Sequence, residues 1–279
     1  MQTANGKRLV IFVHVPKAAG SSLASILRSQ YGRAAVYSAM PRDQLPGLGI
    51  HTTLRSYDEL PQKRKERIKI LRGNFIFDPR PDLNAACFTM LREPVNRVVS
   101  LYYFCKSRES NLFHDSANRM SLHEFVASRV TLETSNDQTR RLAGAGDEAG
   151  ALERAKKNIG EKFALTGITE LFDESVLQLG KIFGWKPYYQ TANVTRERAA
   201  LDSIPKETLD LIAGENQIDA ELYRFARQRF EKNVAEMGVA FQRELEAFRR
   251  WNRVYSIYFT VETKWHRSRR GLRRLLARA

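Results

Sequence analysis

Cys87 and Cys105 are the only thiols in this 279-residue chain. That excludes a disulfide framework as the source of stability, and a chain of this length can bury enough apolar surface without one. Both cysteines have apolar or aromatic neighbours in sequence, so both are expected as reduced core thiols in an intracellular setting. Long hydrophobic runs are missing as well. No stretch reaches the eighteen apolar residues expected of a membrane-crossing helix. The first apolar run, Leu9–Val13, is far too short for the core of an export signal, and the expected location is the cytoplasm. Acidic residues are scarce: 31 Asp and Glu stand against 46 Lys and Arg, a formal charge of +15. Among the last sixteen residues there is no acid at all, whereas Lys264, Arg267, Arg269, Arg270, Arg273, Arg274 and Arg278 are all basic. With Leu272, Leu275 and Leu276 on one helical face, this tail suits peripheral contact with the inner surface of a membrane. The body is moderately basic, which fits an anionic ligand. Charge alone does not choose between a nucleotide, an acidic glycan and nucleic acid.

What is present is the alternation of an α/β fold. Leu9-Val-Ile-Phe-Val-His-Val reads as a strand buried on both faces, the kind found in parallel sheets. A tight loop follows, and then a helix with Leu23, Ile26, Leu27 and Tyr31 on one face. Residues 33–62 show no clear period and read as mostly irregular. A second strand is expected from Ile68 toward Phe77 and a third at Ala85–Arg92. The third leads into a helix from about Val95 to Lys106. Residues 107–119 read as a polar loop. Ser121 and Glu124 are placed to form a capping box. Helices are expected near 151–158, 172–184 and 206–235, with a last strand at Phe163–Gly167. Residues 240–263 fit either a helix or a hairpin. The expected architecture is a central parallel sheet of phosphate-loop type flanked by helices, with a helical C-terminal part.

Two strand-to-helix connections carry anion-binding chemistry. In His14-Val-Pro-Lys-Ala-Ala-Gly-Ser-Ser, Gly20 allows close backbone approach, and the N–H groups of Ala18, Ala19 and Gly20 are available to an anion. Ser21 and Ser22 add hydroxyls at a helix N-terminus, whose dipole favours negative charge. Lys17 supplies a full positive charge. The lysine precedes the glycine, unlike the nucleoside-triphosphate loop, where it follows. In the second connection, Arg92 ends a buried strand and Ser100 lies in the next helix, an arrangement in which a guanidinium fork and a hydroxyl can share one phosphate. Arg97 reads as a surface or structural partner, for example of Glu93.

Together these segments resemble the 5′-phosphosulfate and 3′-phosphate motifs of carbohydrate sulfotransferases related to the heparan sulfate 2-O- and uronyl 2-O-sulfotransferases. The resemblance continues through Asn136-Asp-Gln-Thr-Arg-Arg-Leu-Ala-Gly, Phe163–Ser175, Asn193-Val-Thr and Asn216–Tyr223, and so spans roughly residues 9–230. It implies 3′-phosphoadenosine 5′-phosphosulfate (PAPS) as sulfonate donor, no metal, and a hydroxyl acceptor on a carbohydrate or glycolipid. It also implies a single transferase domain over 1–262, followed by the basic tail 263–279. Lys17, Ala18, Ala19, Gly20, Ser21, Ser22, Arg92 and Ser100 become donor-binding residues, and Thr195 and Arg196 are placed over the nucleotide.

The same resemblance exposes a departure. Relatives carry a histidine base in a Gly-His segment after the second strand, whereas here Asn74 follows Gly73, and an amide is no base at neutral pH. His51 and His114 are the leading substitutes. Asp78 and Asp82 are further candidates, because a carboxylate with a raised pKa can serve. His14 reads as a hydrogen-bonded strand-end residue, while His123 and His266 read as solvated. Two rivals follow: a non-catalytic nucleotide- or glycan-binding module on the same fold, motivated by Asn74, and a basic nucleic-acid-binding protein, motivated by charge and disfavoured by the motifs.

Overall fold

The computed structural model describes residues 9–39, 54–189 and 199–256. Its centre is a five-stranded, all-parallel sheet: β1 (Leu9–Val13), β2 (Val36–Ala39), β3 (Ile70–Gly73), β4 (Ala85–Leu91) and β5 (Phe163–Ile168), in the order β2-β3-β1-β4-β5. Parallel strands need covered faces, and both faces here are covered. On one, Phe12 stacks on Phe88 at 4.7 Å, and Phe88 meets Phe183 and Trp185. On the other, Ile11, Val13 and Cys87 are no more than 5% exposed. Cys87 and Cys105 are buried, as expected, and neither is in a disulfide.

The central position of β1 follows from its composition, since it is apolar at every position and pairs on both edges. The chain runs from β1 to the edge strand β2, returns through β3, and crosses β1 to reach β4. The carboxyl ends of β3, β1 and β4 therefore open side by side where the winding direction reverses, the usual ligand crevice of open α/β sheets.

Several expectations are corrected in detail. Residues 33–39 are not irregular: a 3₁₀ turn at Arg33–Ala35 leads into β2, which the pattern misses because this short edge strand is only partly buried. Short helices at Arg55–Asp58 and Gln62–Lys65 fall in the same stretch. The loop expected at 107–119 contains the helix His114–Arg119. Of the stretch 240–263, expected as either a helix or a hairpin, the part described lies in a helix over 238–256, and 257–263 lie outside the described residues. The helix expected at 206–235 is two, Lys206–Glu215 and Gln217–Glu236, broken at Asn216. The Ser121/Glu124 capping box is present.

A second apolar cluster lies off the sheet. Val98, Leu101, Tyr102 and Cys105 of the helix Pro94–Ser107 pack with Phe113, Phe125 and Ile212 from the helical segments around it. This helix thus links the sheet to the helical part. No helix among the described residues is long and apolar enough to cross a membrane.

Candidate active site

The first anion segment leaves β1 through a turn with unusual backbone. Lys17 and Ala19 both have positive φ, 69° and 57°, and the helix Gly20–Tyr31 starts immediately afterwards. Left-handed conformations in non-glycine residues cost on the order of 1 kcal/mol each and gather at ligand clamps. Such a turn folds successive N–H groups into a concave anion cradle. Ala18 and Gly20 are buried, Ser22 is 8% exposed and Ser21 faces solvent.

The Lys17 ammonium lies 3.8 Å from the centre of the Phe104 ring and forms no ion pair with any described residue. Burial, followed by the nearby Arg92 charge, brings its pKa down to about 8. This is a cation held in partly desolvated surroundings, where the Glu133 carboxylate only partly offsets burial and the Arg92 charge.

The second segment comes to the same place. Arg92, just past β4, donates from Nη1 to the Lys17 carbonyl at 3.0 Å, so the two turns are hydrogen-bonded to each other. Glu93 caps the helix Pro94–Ser107, accepting from the N–H groups of Val95 and Asn96. Ser100, 7% exposed, sits in the second turn of that helix, and no side-chain hydrogen bond among the described residues engages its hydroxyl.

A family model described as the sulfotransferase family matches residues 3–226. The chain belongs to the sulfotransferase family. Among curated proteins, a heparin sulfate O-sulfotransferase of Drosophila melanogaster is 26% identical over 181 residues, or 57% of this chain and 52% of that protein. The chain thus aligns with about half the length of this relative. Among solved structures, mouse sulfotransferase SULT7A1 complexed with PAP covers 75% of this chain and 64% of its own, at 12% identity and a TM-score of 0.38.

The position at which the resemblance expects a base is held by a sulfotransferase chain with no base there. Asn74 follows β3, and its Oδ1 accepts a 2.5 Å hydrogen bond from Nδ1 of His14. His14 is thereby fixed with Nε2 as its lone-pair nitrogen, and burial lowers its pKa to about 4, so the ring is neutral at pH 7. Nε2 faces the α-carbon of Gly20, beneath the Lys17 turn. The strand-end reading of His14 therefore holds, and Asn74 is left with its Nδ2 amide as a hydrogen-bond donor.

The other sequence candidates are distributed as follows. His51, Thr195 and Arg196 lie outside the described residues, as do Asn193 and the tail. His114 begins its own short helix, with Nδ1 3.3 Å from the Cys105 carbonyl and Asn118 against the ring, and it makes no hydrogen bond to Lys17, Asn74 or Arg92. Asp82 is engaged by Arg80 at 2.6 Å, which holds its carboxyl below the usual range, and Asp78 accepts from the Arg80 N–H. His123 is exposed.

Three residues were misread or missed. Arg97 is not a surface partner of Glu93. It is fully buried, donates to the Glu133 carbonyl at 2.8 Å, and lies 3.8 Å from Asp219 and 3.9 Å from Asp137. Arg141 is likewise fully buried, on the helix Asp137–Ala143. Its Nε binds Asp137 at 2.8 Å, Nη2 binds Glu133 at 3.1 Å, and Nη1 donates to the Asn74 carbonyl. Gln138 clamps both backbone polar groups of Arg92, accepting from its N–H at 3.0 Å and donating to its carbonyl at 2.9 Å. The Asn-Asp-Gln-Thr-Arg segment is thus a scaffold under both Arg92 and Asn74. Its dense polar run was the available signal, and an exposed helix carries the same pattern.

Proposed function

We propose that this chain transfers a sulfonate group from PAPS to a hydroxyl of a carbohydrate or glycoconjugate acceptor. The observation that carries this reading is the Arg92–Lys17 hydrogen bond, which brings two cationic turns together at the ends of β1 and β4. A nucleotide charged at both ends needs two anion sites in a shared crevice. The cradle of Lys17–Gly20 would hold the phosphosulfate end, with Ser21 and Ser22 at the helix N-terminus. Arg92 and Ser100 would hold the 3′-phosphate. The donor supplies an activated sulfonate with a good leaving group. The protein's part is to orient it and to steady the charge that grows on the departing oxygen, the role suited to Lys17. Family membership and the similarity to a heparin sulfate O-sulfotransferase support a sugar acceptor. Thr195 and Arg196 remain part of this reading as a cover over the nucleotide. A cytoplasmic location, and contact of the basic tail with a membrane surface, belong to it as well.

Titration calorimetry with PAP, the spent nucleotide 3′-phosphoadenosine 5′-phosphate, tests the site. Lys17→Ala and Arg92→Ala should each weaken binding at least ~10-fold, about 1.4 kcal/mol. Equal affinity in all three proteins overturns the assignment. Transfer of labelled sulfonate to a panel of desulfated heparin, chondroitin and bacterial capsular polysaccharide tests the reaction. PAP binding without turnover on any member would favour a binding module.

A further inference from the structure

Asn74 leaves the sulfotransferase site without a base at the end of β3, and the structure places a carboxylate beside that position. Arg141 spreads its guanidinium between the two: Nη1 donates to the Asn74 carbonyl and Nη2 to Oε1 of Glu133 at 3.1 Å. One planar group thus holds the Glu133 carboxylate next to the strand end that carries Asn74. The backbone of Glu133 is fixed as well. Its N–H donates to Oγ1 of Thr131 at 3.2 Å, and its carbonyl accepts from Arg97.

Only one of the carboxylate oxygens is committed. Oε2 takes no hydrogen bond from any described residue and is not among the sealed polar atoms, although Glu133 as a whole is only 5% exposed. Glu133 and Lys17 also lie close enough for each charge to stabilise the other. The carboxylate therefore sits beside the strand end with Asn74 and within electrostatic range of the lysine of the phosphosulfate turn.

We infer that Glu133 is the catalytic base, accepting on Oε2 the proton of the acceptor hydroxyl. This rests on the transferase reading above. The acceptor oxygen forms a bond to sulfur, and the bond from sulfur to the phosphate oxygen breaks. Its electron pair leaves with PAP, and the hydroxyl proton passes to Glu133 and then to solvent. No oxidant or metal enters the balance.

The groups facing Glu133 fit this task. Arg141 contacts it from the helix Asp137–Ala143, and Asp137 on the same helix, Arg97 and Cys105 on the helix Pro94–Ser107, and Lys17 on the turn after β1 lie within electrostatic range. Burial raises its pKa and Asp137 adds to this, while Arg141, Arg97 and Lys17 oppose it. A carboxylate raised in this way accepts a proton more readily than an ordinary one, yet three cations keep its ionised form within reach. Activity should then rise with pH as Glu133 ionises.

The test uses the full chain with Glu133→Gln and Glu133→Asp, following PAP binding, thermal unfolding and labelled transfer to the polysaccharide panel across pH. Glu133→Gln keeps an acceptor for Arg141, so PAP affinity should stay within ~3-fold while kcat falls ~100-fold or more and the acid limb of its pH profile disappears. Glu133→Asp should retain partial kcat with that limb displaced. If Glu133→Gln folds and keeps wild-type kcat and the acid limb, the assignment is wrong while the transferase reading stands. If it does not fold, an unchanged kcat and limb in Glu133→Asp overturns the assignment equally. A wild-type chain that binds no PAP, or transfers to no member of the panel, removes the transferase reading and this one with it.

Discussion

Gly20 lies directly against the imidazole of His14: a β-carbon at that position would overlap Nε2 of the ring. The glycine is required here by space rather than by backbone angle, because His14 is itself held by Asn74 and has nowhere to retreat. The Lys17 turn, the end of β1 and the end of β3 are therefore packed as one unit.

Gly20→Ala should thus cost about 1–3 kcal/mol, the usual range for overpacking. Chemical denaturation should show a lower midpoint at an unchanged slope. PAP affinity should fall with it, because the ring and the turn must separate to admit the methyl group.

Ala19 is the opposite case. Its φ of 57° suits glycine. Ala19→Gly should stabilise the fold by roughly 0.5–1 kcal/mol, the left-handed penalty less the added freedom of the unfolded chain. For a chain of this size that corresponds to a rise of about 1–4 °C in melting temperature, readable by calorimetry.

Lys17 gives a pH signature. With its pKa lowered to about 8 by burial and by Arg92, the free protein loses this charge as pH rises through 8. An anion prefers the charged form, so PAP affinity should be flat below about pH 7.5 and decline above 8. Binding near pH 8 should be accompanied by proton uptake, visible as a dependence of calorimetric heat on buffer ionisation. Stability moves the other way. Between pH 8 and the ordinary lysine value the unfolded chain holds a proton that the folded chain has released, so the ligand-free fold gains stability as pH rises across that window. Lys17→Met should flatten both trends.

Asp219 anchors the scaffold beneath the site. It accepts from the Gln138 and Thr139 N–H groups at 3.1 and 2.7 Å and from the Thr139 hydroxyl, and it lies 3.8 Å from Arg97. Asp219→Ala would take one of two nearby carboxylates from the buried Arg97 and leave the start of a helix without its acceptor, and should cost about 3–5 kcal/mol. Replacing Arg97 and Asp219 together with Met and Leu should cost less than the sum of the single changes. A double-mutant cycle by urea denaturation measures the difference.

The amino-acid order by itself determined the strands that are apolar at nearly every position, β1 and β4, because burial on both faces leaves no other reading of such a run. It also located the two turns with their Lys17–Gly20 and Arg92 chemistry, since the residues that bind an anion at a helix start are contiguous. β2 escaped because a short, half-buried edge strand carries little period. Only the tertiary structure decided that the two turns touch, through Arg92 and the Lys17 carbonyl, and that His14 is spent on Asn74. It alone placed Glu133 beside the end of β3, because Arg141 joins residues nearly sixty positions apart. Arg97, Arg141, Asp137 and Asp219 look like surface charges in a linear reading. Whether a charge is solvated or buried depends on partners that meet only when distant helices pack, and no local pattern encodes those partners.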